Sequence, residues 1–489
     1  MPHETNPPAD DLTPTQMFAA RVKIMADTFW WNIDALLEVA EVSVPEIEKL
    51  DSIDKIMSTV AKAVSTFNAD AVTKISAAFQ KYRPSDGASV DEGASFLPAI
   101  WDEVKSEPWG AGFIMGLHEA LRRPPRLPIF LQSTAVSAVS SFEVLFSGLV
   151  AQYYSVTPQA LEAASREKEK EFSLRELKQM GSLDDAINIA IGRRVDELMF
   201  GSFADWRKFC LDKMSLKFEE YAIDWDFLQE VFQRRHVIVH NGGLASRRYI
   251  RNVASEYSAG VKEGDLLQMD QAYASRAASE LLTFGYLLAM AIGRKFDKEG
   301  SETFLAYIHK FNYRNLIKGR YEIVEKCSVH GESISTTMDD RLIFQVNKWI
   351  AKQRLSDGSI DPEVESWDVR ALSPRYRLAK HCLMGEKIEA MKCLESLYSA
   401  GEVSFEDVIE WPLLEPLRGT EAYIAMTRKM EIPDGWQFSN VILFENPKSE
   451  MLHRRECSLV HEGFTKRMVD QVDPMSAALC KRCKPVLRQ

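Results

Sequence analysis

The sequence predicts an all-α, multi-domain protein, and three observations carry that reading. Apolar residues recur at three- and four-residue spacing over most of the chain. Runs with strand-like alternation are few. The chain has 489 residues, 46% hydrophobic and 27% charged, so it is long enough for several cores and too apolar for wholesale disorder. At about 150 residues per domain, roughly three domains are expected.

Helical periodicity falls at residues 17–42, 53–82, 128–154, 182–200, 225–240, 272–296, 341–354, 376–400 and 405–417. Residues 321–324 and 437–444 alternate instead and are read as strands. Breaks rich in Pro, Gly and Ser at 83–95, 122–128 and 355–365 predict linkers, and the charged stretch 165–178 predicts a solvated helical face or connection. The expected order is an N-terminal helical region at 1–127, a helical domain at 128–300 and a connection at 301–337. A helical unit at 338–430 and a tail at 431–489 follow. In the unit, turn breaks at Gly385 and Gly401 suit antiparallel helix pairs of the solenoid kind, or an ordinary bundle.

The net charge of −11 argues against a surface coated by nucleic acid and leaves room for a local basic site. The polar, Pro-rich N-terminus has no basic or apolar region of a signal peptide. The longest nearly uninterrupted apolar stretch, 281–293, is too short to span a bilayer. The longer stretch 130–154 carries Gln, Glu and several Ser. Seven cysteines, an odd number, do not read as a disulfide framework. A cytoplasmic protein with no membrane partner is expected.

The most informative segment is WDFLQEVFQRRHVIVHNGGLASRRYIR, residues 225–251. A helix advances about 100° per residue. Leu228, Val231, Phe232, Ile238 and Val239 then form one apolar stripe, with Arg235 in its middle. Burying a lone charge there costs too much. Arg235 is therefore expected at a helix–helix or subunit seam, paired with a carboxylate or waiting for an anion. His236 and His240 lie four residues apart, together at the edge of the stripe. Asn241-Gly242-Gly243 supplies the left-handed conformations that stop a helix, which leaves His240 at an accessible end. Arg234, Arg235, Arg247, Arg248 and Arg251 give a local charge of about +5 with no acid among them, suited to a phosphate backbone.

Arg235-x4-His240, with His236 after the arginine and Asn-Gly after the second histidine, resembles the R-x4-6-H motif of HEPN (higher eukaryotes and prokaryotes nucleotide-binding) domains. The surroundings are similar too: a long helix containing SSFEVLFSGLV, a helix near 186–200, the motif helix, and a closing helix at 272–296. The likeness covers about 128–300. It implies a homodimer of four-helix domains whose two motifs meet in one cleft. Many members are metal-independent endoribonucleases in which the RNA 2′-OH attacks the adjacent phosphodiester. The resemblance then implies Arg235 as the phosphate-stabilising residue and His240 as the general acid–base. His236 would be the polar assistant, and Asn241 would orient His240 or the phosphate. Arg234, Arg247, Arg248 and Arg251 are expected to bind RNA. Glu143, an acid inside an apolar helix, is the candidate partner of Arg235, with a plain helix-edge residue as the alternative. Large bacterial proteins of this family include anti-phage and abortive-infection toxins.

Cys457-x3-His461 and Cys480-x2-Cys483 place four zinc-type ligands in 27 residues, a Cys3His set or free thiols with a surface His. A terminal segment too small for its own core gains most from such a staple. Cys327-x2-His330 is a weaker pair. Cys210, Cys382 and Cys393 lie in helical patterns and read as core. No phosphate-binding loop, dinucleotide fingerprint, H-E-x-x-H or G-x-S-x-G occurs, and Asp339 and Asp340 read as solvated loop acids. The expected function is a metal-independent endoribonuclease needing no catalytic cofactor. The alternative is a non-catalytic dimeric scaffold that binds nucleotide, RNA or a protein partner.

Overall fold

The computed structural model describes residues 13–65, 71–82, 97–167, 176, 181–218, 221–427, 429–430, 442–453, 460, 464–468 and 478–480. The fold is mostly helical with one small sheet, as the periodicity predicts. It divides into two compact units. One is Met1–Glu219 with Ile223–Phe304, and the other is Glu220–Ala222 with Leu305–Gln489.

In the first unit the helices that matter for the site are α1 (Pro14–Asp51), α2 (Arg126–Val156), α3 (Trp225–Asn241), α4 (Arg247–Asn252) and α5 (Gln271–Phe296). Thr13 and Gln16 form a capping box at the start of α1, and a proline follows at the first helical position. Helices α1, α2 and α5 pack on one another. Aromatic rings fill the space between them, with Phe142 stacked on Phe284 at 5.5 Å and edge-on to Phe29 at 6.3 Å. A Cβ on Gly285 would lie 2.5 Å from Phe29, so only glycine lets α1 approach α5 this closely. Nearly every residue of α5 from Leu281 to Gly293 is buried, which is why that stretch is apolar on all faces.

The expected boundary at 127/128 does not separate two cores, because α1 supplies one wall of the same bundle as α2 and α5. The helices Ile53–Ser65, Ala71–Tyr82, Leu97–Val104 and Gly110–Arg122 gather a smaller core around Met57, Ile75, Ile100, Phe113 and Leu117. Asp51, at the end of α1, accepts from the backbone N–H groups of Arg126 (2.6 Å) and Leu127 (3.0 Å), and from Arg126 Nη1 at 2.8 Å. One carboxylate thus caps α2 and fixes where the chain re-enters the bundle. The linker expected at 122–128 shrinks to residues 123–125. The stretch Gly110–Val156 is long and apolar enough to cross a membrane by composition. It is broken at 123–125, and half of its most apolar window is buried in the protein.

In the second unit, residues 321–324 are not a strand. They begin α6 (Tyr321–Ile334), whose buried face is Ile323, Val324, Cys327, Ser328, His330 and Gly331, laid against α7 (Met338–Leu355). A four-residue apolar run does not separate strand from helix, and the 3–4 spacing continuing to Gly331 decides it. Residues 301–337, expected as a connection, are helical (Ser301–Ile317 and α6), and Leu316 and Val324 belong to this unit's core. Helices α8 (Pro374–Leu383) and α9 (Lys387–Ser399) pack as a hairpin, closed by Gly385 at φ +73°. Asp339 and Asp340 lie in the first turn of α7 and not in a loop, with Thr337 accepting from the Asp340 N–H. Strand β1 (Ile442–Glu445) lies between β2 (Leu452–His453) and β3 (Thr465–Met468), antiparallel to both, with Phe444 opposite His453 and Lys466. Residues 437–441, 83–95 and most of 165–178 lie outside the described residues.

The Asp51 cap makes a direct stability prediction. Asp51→Ala should cost about 0.5–2 kcal/mol in urea unfolding, the usual loss for an N-cap acceptor. An unchanged midpoint would mean that the contact contributes nothing.

Candidate functional site

The motif helix α3 starts at Asp224, whose side chain accepts from the Phe227 N–H at 2.9 Å and pairs with Arg276 at 2.6 Å. It ends at Gly242 (φ +61°) and Gly243 (φ +83°), and the Gly243 N–H reaches back to the Val237 carbonyl at 3.2 Å. The Asn-Gly-Gly stop therefore works as its composition predicts. Phe227, Leu228, Val231, Phe232 and Val237 are buried. Val239, placed on the buried stripe by the ideal wheel, is 49% exposed. The return segment after the helix draws burial to the Val237 side, where Ala245, Tyr249, Val253 and Leu267 close over it.

Arg235 and Glu143 are brought together. Arg235 Nη2 donates to Glu143 Oε2 at 3.0 Å from facing positions on α3 and α2. Arg235 Nε is buried and has no partner among the described residues. Glu143 is half-buried, and that burial raises its pKa above the ordinary carboxylate value against the pull of Arg235. The rings of His236 and His240 lie 4.6 Å apart, tilted by 49°. Partial burial holds His236 below the ordinary histidine pKa, and the nearby charges of His240, Arg248 and Arg235 add to the effect. His240 and Asn241 are exposed at the helix end.

The arginine cluster is less bare than the sequence implies. Arg234 is not placed to bind a ligand. Its Nε donates to Glu230 at 2.6 Å, its Nη1 donates to the Gln268 carbonyl at 2.6 Å, and its guanidinium lies over the Tyr273 ring at 4.3 Å. Arg247, exposed, pairs with Glu263 at 2.7 Å. Arg251 Nε reaches only the Arg247 carbonyl, at 3.3 Å. Of the five arginines, Arg248 and Arg251 hold no carboxylate among the described residues.

The residue that sequence reasoning missed is Glu230. It is 0% exposed. It accepts from Arg234, from the Tyr249 hydroxyl at 2.6 Å and from the Tyr273 hydroxyl. Its i, i+4 spacing to Arg234 was the available signal, but the wheel puts it opposite the apolar stripe. Only the tyrosines of α4 and α5 make that second face interior.

Cys457, His461 and Cys483 lie outside the described residues. Cys480 is buried, and its N–H donates to the Leu452 carbonyl at 3.0 Å. Among the described residues no group of three or more His, Cys, Asp or Glu is arranged to hold a metal ion. Cys210, Cys327 and Cys382 are core thiols, each pushed up to about 12 by burial. His330 stacks on Tyr221 at 4.5 Å.

No family model, no curated protein and no solved structure matches this chain.

Two outcomes are expected of this geometry. Glu230→Ala should cost about 3–5 kcal/mol, as when one partner of a buried charged pair is removed, while Arg247→Ala should stay within about 0.5 kcal/mol; chemical denaturation reads both. In an NMR titration His236 should take its proton below about pH 6.5 and move upward in Arg248→Ala. A titration at or above the ordinary value in the wild type would contradict the arrangement.

Proposed function

We propose that the first unit is a metal-independent endoribonuclease of the HEPN type, acting as a homodimer on RNA. The observation that carries this reading is one arginine and two histidines gathered at the open end of α3, with the imidazoles 4.6 Å apart and Arg235 oriented by Glu143. In the proposed reaction the 2′-oxygen bonds to phosphorus, the bond to the 5′-oxygen breaks, and a 2′,3′-cyclic phosphate forms. His240 moves the proton between the two oxygens. His236, kept neutral, accepts a hydrogen bond and orients the 2′-OH. Arg235 stabilises charge on the phosphoryl oxygens, Asn241 orients His240, and Arg248 and Arg251 hold flanking phosphates. Val144, 72% exposed beside Glu143, and Val239, one turn from Arg235, supply apolar surface that a second copy would cover. A role as a defence toxin follows only from the family resemblance.

One observation favours the scaffold reading. Glu143 already neutralises Arg235, so a ligand phosphate must compete with a carboxylate. The test is incubation of the full chain with total RNA in EDTA. Because a chelator also strips structural zinc, a parallel run omits both chelator and added metal. Cleavage with cyclic-phosphate ends is expected, with a loss of about 10²-fold or more in Arg235→Ala and His240→Ala. Since the His236 pKa is depressed, its neutral form persists to lower pH than that of an ordinary histidine, and the part of the activity that depends on His236 should be lost only as pH drops through that lowered value. RNA binding without turnover, or full cleavage by both variants, would instead leave the scaffold.

A structural zinc on Cys457, His461, Cys480 and Cys483 is part of the same proposal. Metal analysis should find about one zinc per chain, and none after Cys480→Ser with Cys483→Ser. Zinc-free wild-type protein would remove this part.

A further inference from the structure

Helix α1 carries two apolar stripes, and the bundle uses one of them. Phe18, Val22, Phe29, Ile33 and Val44 are buried on the side that packs with α2 and α5. At about 100° per residue, a second stripe runs along the opposite side. It holds Met17, Ile24 (64% exposed), Trp31 (63%) and Val42 (73%), with Ala35 exposed between the last two. Single exposed apolar residues are ordinary, but a large ring and branched side chains in one line form a docking face.

The stripe has the seven-residue repeat of a two-helix seam. Met17, Ile24, Trp31 and Glu38 form one row, and Arg21, Thr28, Ala35 and Val42 form the other. From Met17 to Val42 it runs about 38 Å, at about 1.5 Å per residue. Its two charges, Arg21 and Glu38, are exposed and stand toward opposite ends. This order is complementary to itself when reversed. In an antiparallel pair centred between Phe29 and Trp30, Met17 meets Val42 of the second copy, Arg21 meets Glu38, Ile24 meets Ala35 and Thr28 meets Trp31. One layer is apolar, one joins opposite charges, and two set a large side chain against a small one. On the flank, Asp27 is already held by Lys23 of its own helix. A parallel pair would instead set Arg21 against Arg21 and Glu38 against Glu38, and like charges so placed are costly. An anionic membrane would meet Glu38 and Glu41, both exposed, beside the apolar stripe.

We propose that the outer face of α1 binds the same face of a second copy of this chain, antiparallel, about a two-fold axis near Phe29 and Trp30. Such an interface is closed, because each copy offers the same patch to the other. Trp31 is its anchor, as large rings are in such contacts, and the two Arg21–Glu38 layers select the register. The proposal does not rest on the ribonuclease reading, and its residues are not those beside the motif, Val144 and Val239.

Sedimentation equilibrium of the full chain tests the proposal. The wild type should contain two chains, or four where the motif face pairs as well. Trp31→Asp and Arg21→Glu should each halve that mass or weaken the association tenfold or more. Both positions are exposed, so the helical circular dichroism should stay as in the wild type. Arg21→Glu combined with Glu38→Arg should restore the wild-type mass. The two positions lie 17 residues apart on one helix, so only a second copy can bring them together. A wild type that is monomeric at about 100 μM overturns the proposal, whether or not it binds anionic vesicles. So does a mass unmoved by Trp31→Asp, or a double reversal that stays dissociated. RNA cleavage is not read, so none of these outcomes bears on the chemistry at α3.

Discussion

The candidate site depends on one buried carboxylate. Glu230 is fully enclosed and accepts from three groups at once: a guanidinium on its own helix, a tyrosine on α4 and a tyrosine on α5. A buried acid is tolerable only when its lone pairs are filled this way. The arrangement therefore ties three segments to one point. Helix α3 cannot slide relative to α5, and the return segment cannot lift off α3, without stranding a charge. The register of His236, His240 and Arg248 follows from that lock.

A second ion pair governs the charge of the site. Arg235 emerges at the seam between α3 and α2, where Glu143 meets it. Both groups are partly exposed, so the pair orients the guanidinium more than it stabilises the fold. Its buried Nε has no partner among the described residues. With Arg234 and Arg247 also matched by acids, the positive field of this region narrows to Arg248 and Arg251. An acidic chain can thus carry a compact basic spot, and local arrangement rather than net charge describes what it offers a phosphate.

Much of this was legible beforehand. Period-3.6 spacing located the long helices because each buries a wide stripe, and α5 could be read as buried because it is apolar all round. The helix stop at Asn241-Gly242-Gly243 followed from glycine's access to positive φ. An acid inside an apolar helix made Glu143 a candidate partner of Arg235, with a plain helix-edge residue as the alternative, and the 3.0 Å contact decides for the pair. Other features were not legible, each for a stated reason. Residues 321–324 are too few to distinguish two periods. Val239 follows the ideal wheel but lies where the return segment leaves it uncovered. Helix α1 looked like a lead-in because nothing local says which helices share a core.

The sequence by itself determined the helical class, the ends of the motif helix, and which residue types gather there, since these depend on near-neighbour spacing and backbone preference. Only the tertiary structure decided which arginines remain without an acid among the described residues, that Glu230 is interior, and that α1 belongs to the bundle. Most of those outcomes turn on contacts between residues 16 to 92 apart, where charge and burial are set by the partner brought alongside and not by the residue's own neighbours.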